Sequence, residues 1–370
     1  MIVGVESETR LTGKPLVERQ QLNSDYNMME IESNIVVLKS IPRRFVLELT
    51  NDCNLNCLMC GSKAADFKPR FMDVAHFKSL EPFFDTVEEV SLIGCGEPTS
   101  HSNFEEMLEI LQRFAARKHF CTSGMLLDKL TPAIFEHEVD AFTVKIDGAT
   151  KESNSSIRVG ADLEKINQDL REIVKIKQSK ELSYPYINYA FTAMKKNLHE
   201  LPQIIEMAAD VGLEEVKVVY LTVLNEELVA ESLYGSQAEV ADVFGKAAER
   251  AEKLGVLLKL PYIQGEDPAG DSLHRDCYVA YRDFVIGSDG YVRPCVSTAD
   301  KFLLYNSRLD FMEMWNSHEY VQHRRTVNTV NMPESCRNCY QSSHCNWNNK
   351  KSYIQIGENF APEWEGDSHE

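Results

Sequence analysis

Residues 45–60 read FVLELTNDCNLNCLMC, a short apolar segment that runs into three closely spaced cysteines. The segment 45–50 is typical of a buried strand, and a polar pair ends it. Cys53, Cys57 and Cys60 then follow with the spacing C-x3-C-x2-C. Three thiolates on one loop suit one face of a [4Fe–4S] cube, and the fourth iron is left without a protein ligand. A zinc site, which more often shows two paired C-x2-C units, and incidental cysteines are the alternatives at this point.

Downstream of this loop, the sequence alternates between predicted helices and strands. Strands are predicted over 45–50, 90–93, 142–146, 187–193, 216–221 and 256–260, and helices over 73–84, 103–116, 162–177, 198–211 and 236–254. Asp73 is placed to cap the first helix, and Gly212 and Gly255 to end the last two. Such strand–helix units imply parallel strands joined by right-handed crossovers. The pattern predicts an α/β fold, either a doubly wound sheet or an open, partial (β/α) barrel.

The chain divides into four predicted parts. Residues 1–44 are polar with little periodicity, and they form an N-terminal extension that is too short for a separate peptide-binding domain. Residues 45–262 form the core, and 263–350 form a small Cys-rich domain with a hairpin over 282–294 around the turn Ser288-Asp289-Gly290. Residues 351–370 form a tail whose acidic end, from Glu363, is predicted to be disordered.

Composition limits the partners and the location of the protein. Its 57 acidic and 39 basic residues give a net charge of −18, which argues against binding to nucleic acid or to an anionic membrane surface. No apolar run reaches the roughly 18–20 residues that span a bilayer, and residues 1–19 lack the apolar core of a secretory signal. These features predict a cytoplasmic protein. In that reducing compartment, ten cysteines indicate metal or redox chemistry rather than disulfides.

Further segments accompany the cysteine loop in a fixed order along the chain. They are Gly94-Cys-Gly-Glu-Pro98, Thr122-Ser-Gly124, Lys145-Ile-Asp-Gly-Ala-Thr-Lys151 with Ile157-Arg158-Val-Gly160, and Phe191-Thr-Ala-Met-Lys-Lys-Asn197. Together with C-x3-C-x2-C after a first strand, they resemble the motifs of the radical S-adenosylmethionine (SAM) superfamily over 45–345. The resemblance implies a partial (β/α)6 barrel with a site-differentiated [4Fe–4S] cluster on Cys53, Cys57 and Cys60. It also implies that SAM binds to the open iron.

The same resemblance implies a set of residues that contact SAM. They are Met59, Gly94, Cys95, Gly96, Glu97, Pro98, Ser123, Lys145, Asp147 and Arg158. Gly94 and Gly96 permit close approach of the backbone to a zwitterion. The guanidinium of Arg158 can bind a carboxylate in a bidentate manner.

Two of these positions depart from the family pattern. Met59 stands where many members carry an aromatic residue that packs on adenine, and a soft methionine can fill that role. Lys145 stands where serine is common, and a salt-bridged lysine at the end of a strand is the alternative interpretation. Cys95 and Cys121 are interpreted as small buried residues rather than reactive ones.

Five more cysteines follow in the C-terminal part: Cys277, Cys295, Cys336, Cys339 and Cys345. With Gly290 they give C-x12-G-x4-C and C-x2-C-x5-C, which resembles the auxiliary-cluster domains called SPASM and twitch. Two fully Cys-ligated clusters need eight thiolates, and only five are present. The resemblance therefore implies one auxiliary [4Fe–4S] cluster on the first four, with Cys345 spare or replacing one of them. A structural zinc site on the same thiolates is the alternative.

The resemblance implies a radical SAM enzyme. Such an enzyme cleaves SAM reductively to a 5′-deoxyadenosyl radical, which removes a hydrogen atom from the substrate, and it needs an electron donor such as flavodoxin or ferredoxin. An auxiliary cluster that accepts an electron favours dehydrogenation of a small molecule such as a sugar or an aminocyclitol. The alternatives are peptide or protein modification (crosslinking, epimerisation or maturation), a non-catalytic Fe–S or zinc-binding protein, and a non-radical SAM-dependent methyltransferase. No motif identifies a catalytic acid or base.

Overall fold

The computed structural model describes residues 14–60, 68–223, 226–261, 263, 277–296 and 300–337, and the backbone of 354–356 and 362–364. The α-helices are α1 (Glu18–Glu32), α2 (Val74–Lys78), α3 (Phe104–Gln112), α4 (Leu127–Glu136), α5 (Lys151–Ile157), α6 (Leu163–Ser179), α7 (Leu201–Val211), α8 (Gln237–Leu254), α9 (Val279–Arg282), α10 (Phe311–Trp315), α11 (His318–Thr326) and α12 (Glu334–Arg337). The strands are β1 (Arg44–Leu47), β2 (Asn56–Cys57), β3 (Glu89–Leu92), β4 (Arg117–Thr122), β5 (Ala141–Lys145), β6 (Arg158–Val159), β7 (Tyr186–Ala193), β8 (Glu215–Tyr220), β9 (Leu257–Lys259), β10 (Asp283–Ile286), β11 (Tyr291–Arg293), β12 (Leu303–Leu304), β13 (Ile354–Ile356) and β14 (Pro362–Trp364).

Most of the described strands belong to one ten-stranded sheet. Their order is β12-β11-β10-β1-β3-β4-β5-β7-β8-β9. The run from β10 through β1 to β9 is parallel, and β11 and β12 are antiparallel additions at one edge. The sheet ends at β12 on one side and at β9 on the other, so it is open. The predicted α/β class, with the parallel core of a partial (β/α) barrel, is confirmed.

The two faces of this sheet differ in chemistry. Phe142, Val144 and Phe191 of β5 and β7 are fully buried in the main hydrophobic core. On the same face, the Tyr189 hydroxyl donates a 2.6 Å hydrogen bond to Asn167 of α6. Since side chains alternate along a strand, the intervening residues point to the opposite side. We call this opposite side the polar face, and its residues include Glu89, Arg117, His119, Thr143, Lys145, Asn188, Ala190, Glu215 and Lys217.

Most predicted helices and strands are present with shifted ends. The helix predicted over 73–84 is shorter, because α2 gives way to a 3-10 turn over Glu81–Phe83. Asp73 caps α2 as predicted: its Oδ1 accepts a 2.8 Å hydrogen bond from the Ala75 N–H. Both glycines predicted to end helices, after α7 and α8, adopt left-handed φ angles of 88° and 70°.

The predicted hairpin of the Cys-rich part forms β10 and β11, and it extends the core sheet. β10 pairs in parallel with β1, and Phe284 lies opposite Phe45. Aromatic packing supports this pairing, since the Phe284 ring lies 4.9 Å from that of Phe311 and 5.9 Å from that of Trp315. The core and the Cys-rich part therefore share one sheet and one hydrophobic core. The domain boundary near 262 stays a prediction.

The N-terminal extension contains α1, a helix that the sequence pattern does not predict. Its buried residues Gln20, Ser24 and Asn27 are polar and recur at helical spacing. The Asn27 amide donates 2.9 Å hydrogen bonds to the Ser40 hydroxyl and to the Tyr281 carbonyl. Periodicity reveals a helix through its apolar face, so a helix that docks through hydrogen bonds gives no such signal.

Two further predictions concern the tail and the membrane. The backbone of β13 pairs with β14 in antiparallel fashion, so Glu363 lies in a strand. The prediction that disorder begins at Glu363 is therefore wrong for this residue, and 365–370 lie outside the described residues. Among the helices that the structure describes, none combines the length and the apolar character needed to cross a bilayer.

Candidate active site

The loop after β1 carries the first three cysteines and is fixed by a short antiparallel ladder. β2 pairs with β6, and Cys57 lies opposite Arg158. The Leu58 N–H donates a 2.7 Å hydrogen bond to the Ile157 carbonyl. The cysteine loop is thus attached to the segment that follows α5, at the C-terminal ends of the parallel strands.

The three thiols share a partly dehydrated environment. Cys57 is buried, and Cys53 and Cys60 are half-buried. Burial raises the pKa of Cys53 to about 11, and the nearby Glu97 carboxylate and the two other thiols add to the shift. Because metals bind the thiolate, a cationic group that bound here would displace these protons.

The chemistry of the donor set fits an iron–sulfur cluster. Among the described residues, no three His, Cys, Asp or Glu side chains lie close enough together to hold one ion. A [4Fe–4S] cube does not require such closeness, because each thiolate binds a different iron. Three half-buried or buried thiols on one loop therefore fit three corners of a cube.

A buried ion pair lies beside the cysteine loop. Nε of Arg158 is 2.6 Å from Oδ2 of Asp147, and the two residues are 7% and 0% exposed. Nη1 of Arg158 also donates to Sγ of Cys57 at 3.7 Å. Nε of Arg158 and Oδ2 of Asp147 are within ion-pair distance, but the angles between them do not meet those of a hydrogen bond. Neither atom has a hydrogen-bond partner elsewhere in the described residues. The contact of Arg158 and Asp147 with SAM stays a prediction.

The glycines of the segment Gly94–Pro98 are required by contacts within the protein. A Cβ on Gly94 would lie 2.3 Å from Cγ of Glu48, and a Cβ on Gly96 would lie 2.3 Å from the Thr50 carbonyl oxygen. Neither distance is possible without a shift of the neighbour. The segment therefore packs directly on the end of β1, and the approach of these glycines to a ligand stays a prediction.

Glu97 and Ser123 connect the loops around the cysteines. Glu97 is 2% exposed, and its Oε2 accepts a 2.6 Å hydrogen bond from the Ser123 N–H. The Ser123 hydroxyl donates to Oδ1 of Asn54, within the cysteine loop, at 3.2 Å. Pro98 is buried at the start of a 3-10 turn that the Glu97 carboxylate caps. The polar groups of both residues are thus engaged within the protein, where they position the loops.

Two residues to which the sequence analysis gives no role complete this arrangement. Oε2 of Glu48 accepts a 2.8 Å hydrogen bond from the Cys95 N–H, and Oε1 accepts one of 3.1 Å from the Ser288 N–H. Asn197 is fully buried and donates a 2.9 Å hydrogen bond to the Asp147 carbonyl. Cys95 itself is exposed, so its interpretation as a small buried residue is wrong. The available signal for Glu48 was an acidic residue in an otherwise apolar strand.

The two positions that depart from the family pattern have different surroundings. Lys145 ends β5 on the polar face and is half-buried. Its ammonium makes no ion pair or hydrogen bond within the described residues, so the salt-bridge interpretation is wrong. Met59 is half-buried between the main core and a small cluster around Ile157 and Met194. Its contact with adenine stays a prediction.

The structure describes part of the second cysteine set. Cys277 precedes α9, Cys295 follows β11 and Cys336 lies in α12, and all three are half-buried. The Asn328 side chain fixes the backbone of Cys277, accepting from its N–H at 2.9 Å and donating to its carbonyl at 3.0 Å. The four-thiolate ligation stays a prediction. The remaining two candidates lie outside the described residues: Cys339 and Cys345.

Comparison with protein families agrees with this geometry. The radical SAM superfamily matches residues 47–231, and an iron–sulfur cluster-binding domain, SPASM, matches 277–340. The chain belongs to the radical SAM superfamily. It is a radical SAM enzyme with a SPASM region, and its cofactors are SAM and [4Fe–4S] clusters. Family membership disfavours the non-catalytic and the zinc alternatives.

Relatives and solved structures extend the likeness over most of the chain. The tungsten-containing aldehyde ferredoxin oxidoreductase cofactor-modifying protein of Pyrococcus furiosus is 24% identical over 325 residues, which are 81% of this chain and 88% of the relative. The PqqA peptide cyclase of Rhodopseudomonas palustris is 22% identical over 330 residues, 84% of this chain and 83% of the relative. Streptococcus suis SuiB bound to SAM has a TM-score of 0.64 at 13% identity, over 84% of this chain and 73% of its own. Native anSMEcpe with bound SAM has a TM-score of 0.56 at 15% identity, over 76% and 83%. At these identities the solved structures show a shared fold.

Proposed function

We propose that this radical SAM enzyme binds its SAM-activating cluster through Cys53, Cys57 and Cys60 and oxidises a small polar molecule. When bound, the cluster and SAM supply a 5′-deoxyadenosyl radical after one-electron reduction by a donor such as flavodoxin or ferredoxin. The protein's own residues position the reactants and exclude water.

Buried polar contacts support the assignment of the cysteine loop. Arg158 and Asp147 keep the β6 segment, and with it Cys57, in one orientation. Glu97 and Ser123 hold the adjoining loops through hydrogen bonds of 2.6 and 3.2 Å. A rigid shell of this kind holds reacting groups in a productive geometry, which is the main contribution that a protein makes to cofactor chemistry.

The proposed substrate class rests on the residues of the polar face of the sheet. His119 and Thr143 are 3.2 Å apart through Nε2 and Oγ1, and the Asn188 amide donates a 2.9 Å hydrogen bond to Glu215. These groups belong to strands whose C-terminal ends lead to the cysteine loop and its neighbours. A small hydroxylated molecule, such as a sugar or an aminocyclitol, is matched by a few precisely placed donors and acceptors of this type.

The position of the Cys-rich part supports oxidation as the outcome. Removal of a hydrogen atom leaves a substrate radical, and loss of one electron and one proton then completes a two-electron oxidation. An auxiliary cluster on Cys277, Cys295 and Cys336, with Cys339, would accept that electron. β10 and β11 of this part continue the sheet from β1, which bears the cysteine loop, and Glu48 bonds to the turn between them.

Modification of a peptide is the second candidate. The match to a peptide cyclase over 84% of the chain favours it, and so does the fold shared with SuiB, which has also been solved with its precursor peptide SuiA. The match to a cofactor-modifying protein over 81% of the chain favours a small molecule. Both outcomes use the same core chemistry and differ in what occupies the polar face.

Deuterium transfer separates the two candidates. The native host is grown on deuterated medium, and its extract is divided into small-molecule and peptide fractions. Each fraction is added to the anaerobically reconstituted enzyme with SAM and dithionite. We expect deuterium in 5′-deoxyadenosine with the small-molecule fraction, and a product two hydrogen atoms lighter than its substrate. Deuterium from the peptide fraction alone would establish the second candidate. SAM cleavage without deuterium from either fraction would contradict the abstraction step.

A further inference from the structure

Glu48 follows β1 and lies between two segments that are far apart in the chain. Its Oε2 accepts a 2.8 Å hydrogen bond from the Cys95 N–H, in the segment Gly94–Pro98. Its Oε1 accepts hydrogen bonds of 3.1 Å from the Ser288 N–H and of 2.5 Å from the Ser288 hydroxyl, in the turn between β10 and β11. One carboxylate therefore joins the segment Gly94–Pro98 to the hairpin of the Cys-rich part.

The segment Gly94–Pro98 rests directly on this side chain. A Cβ on Gly94 would lie 2.3 Å from Cγ and 2.5 Å from Oε2 of Glu48, so only a residue without a side chain allows this approach. Gly94 and Cys95 are themselves exposed. Glu48 thus supports the segment from the protein side, and the opposite side stays accessible to a ligand. A shift of the Glu48 side chain would move the segment with it.

The hairpin turn that binds the other carboxylate oxygen is itself held by charged groups. Nη1 and Nη2 of Arg293 donate hydrogen bonds of 2.9 and 2.8 Å to the two carboxylate oxygens of Asp289, and Nζ of Lys301 lies 3.1 Å from the same carboxylate. A Cβ on Gly287 would lie 2.2 Å from Nη1 of Arg293, so the turn packs against the guanidinium. Bidentate pairs of this kind fix the geometry of the groups that they join. Ser288 is therefore presented to Glu48 from a rigid turn.

We infer that Glu48 is a positioning residue through which the hairpin of the Cys-rich part sets the affinity of the segment Gly94–Pro98 for SAM. The carboxylate accepts hydrogen bonds from both sides, and charge-assisted hydrogen bonds are stronger than neutral ones. A loop that is held in its binding conformation binds more tightly, because it loses less freedom when the ligand arrives. The link joins the two matched families, since Glu48 lies within 47–231 and Ser288 within 277–340. The inference rests on the proposed function, in which SAM is activated beside this segment.

Binding of SAM to the anaerobically reconstituted full-length enzyme, measured by equilibrium dialysis, tests this link. Glu48→Gln keeps the shape of the side chain but removes its charge and one of its two acceptor oxygens. Ser288→Ala removes only the hydroxyl donor. We expect the Kd for SAM to rise about tenfold in Glu48→Gln and about threefold in Ser288→Ala. The double variant should bind no more weakly than Glu48→Gln, because both substitutions break the same link.

Ser288→Thr keeps the hydroxyl and should keep the wild-type Kd, and Ser288→Ala should keep the wild-type iron content and thermal midpoint. Ser307→Ala and Glu313→Gln, at exposed positions of the Cys-rich part, are matched controls and should bind SAM as the wild type does. Unchanged affinity in both single variants would overturn the inference, and so would a rise in the double variant equal to the product of the two single rises. In either case, formation of 5′-deoxyadenosine by the wild type would leave the proposed function standing. A wild-type enzyme that binds SAM but forms no 5′-deoxyadenosine would reject the proposed function instead.

Discussion

Arg158 and Asp147 form a buried ion pair in the candidate site. Asp147 is fully buried, and besides Arg158 its side chain is held by the Thr192 N–H at 2.6 Å. In such surroundings the removal of one charge leaves the other without compensation, which costs more than the pair gains when intact.

We therefore expect Arg158→Met to lower the free energy of unfolding by about 3–5 kcal/mol. The double variant Arg158→Met, Asp147→Asn should lose clearly less than the single one, because no buried carboxylate is left unpaired. Anaerobic urea denaturation of both variants measures the difference. Equal losses in the single and the double variant would show that the two side chains are not energetically coupled.

Gly96 and Gly245 provide a matched pair for the same alanine substitution. A Cβ on Gly96 meets the backbone oxygens of Thr50 and Asp52 at 2.3 and 2.4 Å, whereas a Cβ on Gly245, inside α8, has nothing within 4 Å. Gly96→Ala should destabilise the protein by about 1–3 kcal/mol or more and lower its iron content. Gly245→Ala should stabilise it by about 1 kcal/mol. A neutral effect of Gly96→Ala in thermal unfolding would contradict the packing described for this loop.

The sequence predicts that the glycines, Arg158 and the three cysteines belong to the site. It does not show which contacts require the glycines. Gly94 and Gly96 are motif residues, and their need for space comes from Glu48 and Thr50, which lie far from them in the chain. Such contacts depend on the register between β1 and β3, and spacing along one strand does not encode it.

The helices and strands differ in how well the sequence predicts them. The buried strands and α6 carry apolar residues at period 2 or 3.6, and their existence is predicted with ends shifted by one to three residues. The helix α1 carries no such pattern, because its buried face consists of Gln20, Ser24, Asn27 and Glu30 with Ile31. Its partners are backbone carbonyls and side chains at the N-terminal ends of β1, β3 and β10.

The docking of α1 predicts a specific sensitivity to substitution. Asn27→Ala removes two 2.9 Å hydrogen bonds and leaves the buried Tyr281 carbonyl without this donor, which should cost about 1–3 kcal/mol of stability. Asp25→Ala, on the exposed side of the same helix, should change stability by less than about 0.5 kcal/mol. Hydrogen exchange of α1 amides should rise in the first variant alone. Equal effects of both substitutions would mean that α1 is held by something other than its polar face.

Continuity of the sheet makes the Cys-rich part and the core one body around the aromatic cluster of Phe45, Phe284 and Phe311. The sequence predicts the hairpin but not this continuity, because pairing between β1 and β10 joins segments more than 230 residues apart. A change that destabilises the Cys-rich part should therefore lower the free energy of unfolding of the whole protein.

His323 of α11 makes this stability depend on pH. Burial lowers the pKa of His323 to about 4, and Arg324 lowers it further while Asp300 opposes the shift. The folded pKa lies below the ordinary value of about 6.5, so protonation favours the unfolded chain. Stability is complete above about pH 6.5 and falls as the pH drops towards 4, with a slope of up to about 1.4 kcal/mol per pH unit.

Urea denaturation of the wild type and of His323→Leu at several values from about pH 7 to about pH 5 measures this slope. The variant should lose the part of the slope that His323 contributes. His318→Leu, at an exposed position of the same helix, is the control and should keep the wild-type dependence. Parallel pH profiles for the wild type and His323→Leu would contradict the assignment.

Formation of 5′-deoxyadenosine tests whether Cys53, Cys57 and Cys60 hold the cluster that activates SAM. The wild type, a triple Cys→Ala variant at these positions and the control Cys121→Ala are reconstituted anaerobically and incubated with SAM and dithionite. We expect iron and sulfide in the wild type and the control, with 5′-deoxyadenosine from both and none from the triple variant. Full SAM cleavage by the triple variant, or zinc in place of iron and no cleavage by the wild type, would contradict that assignment.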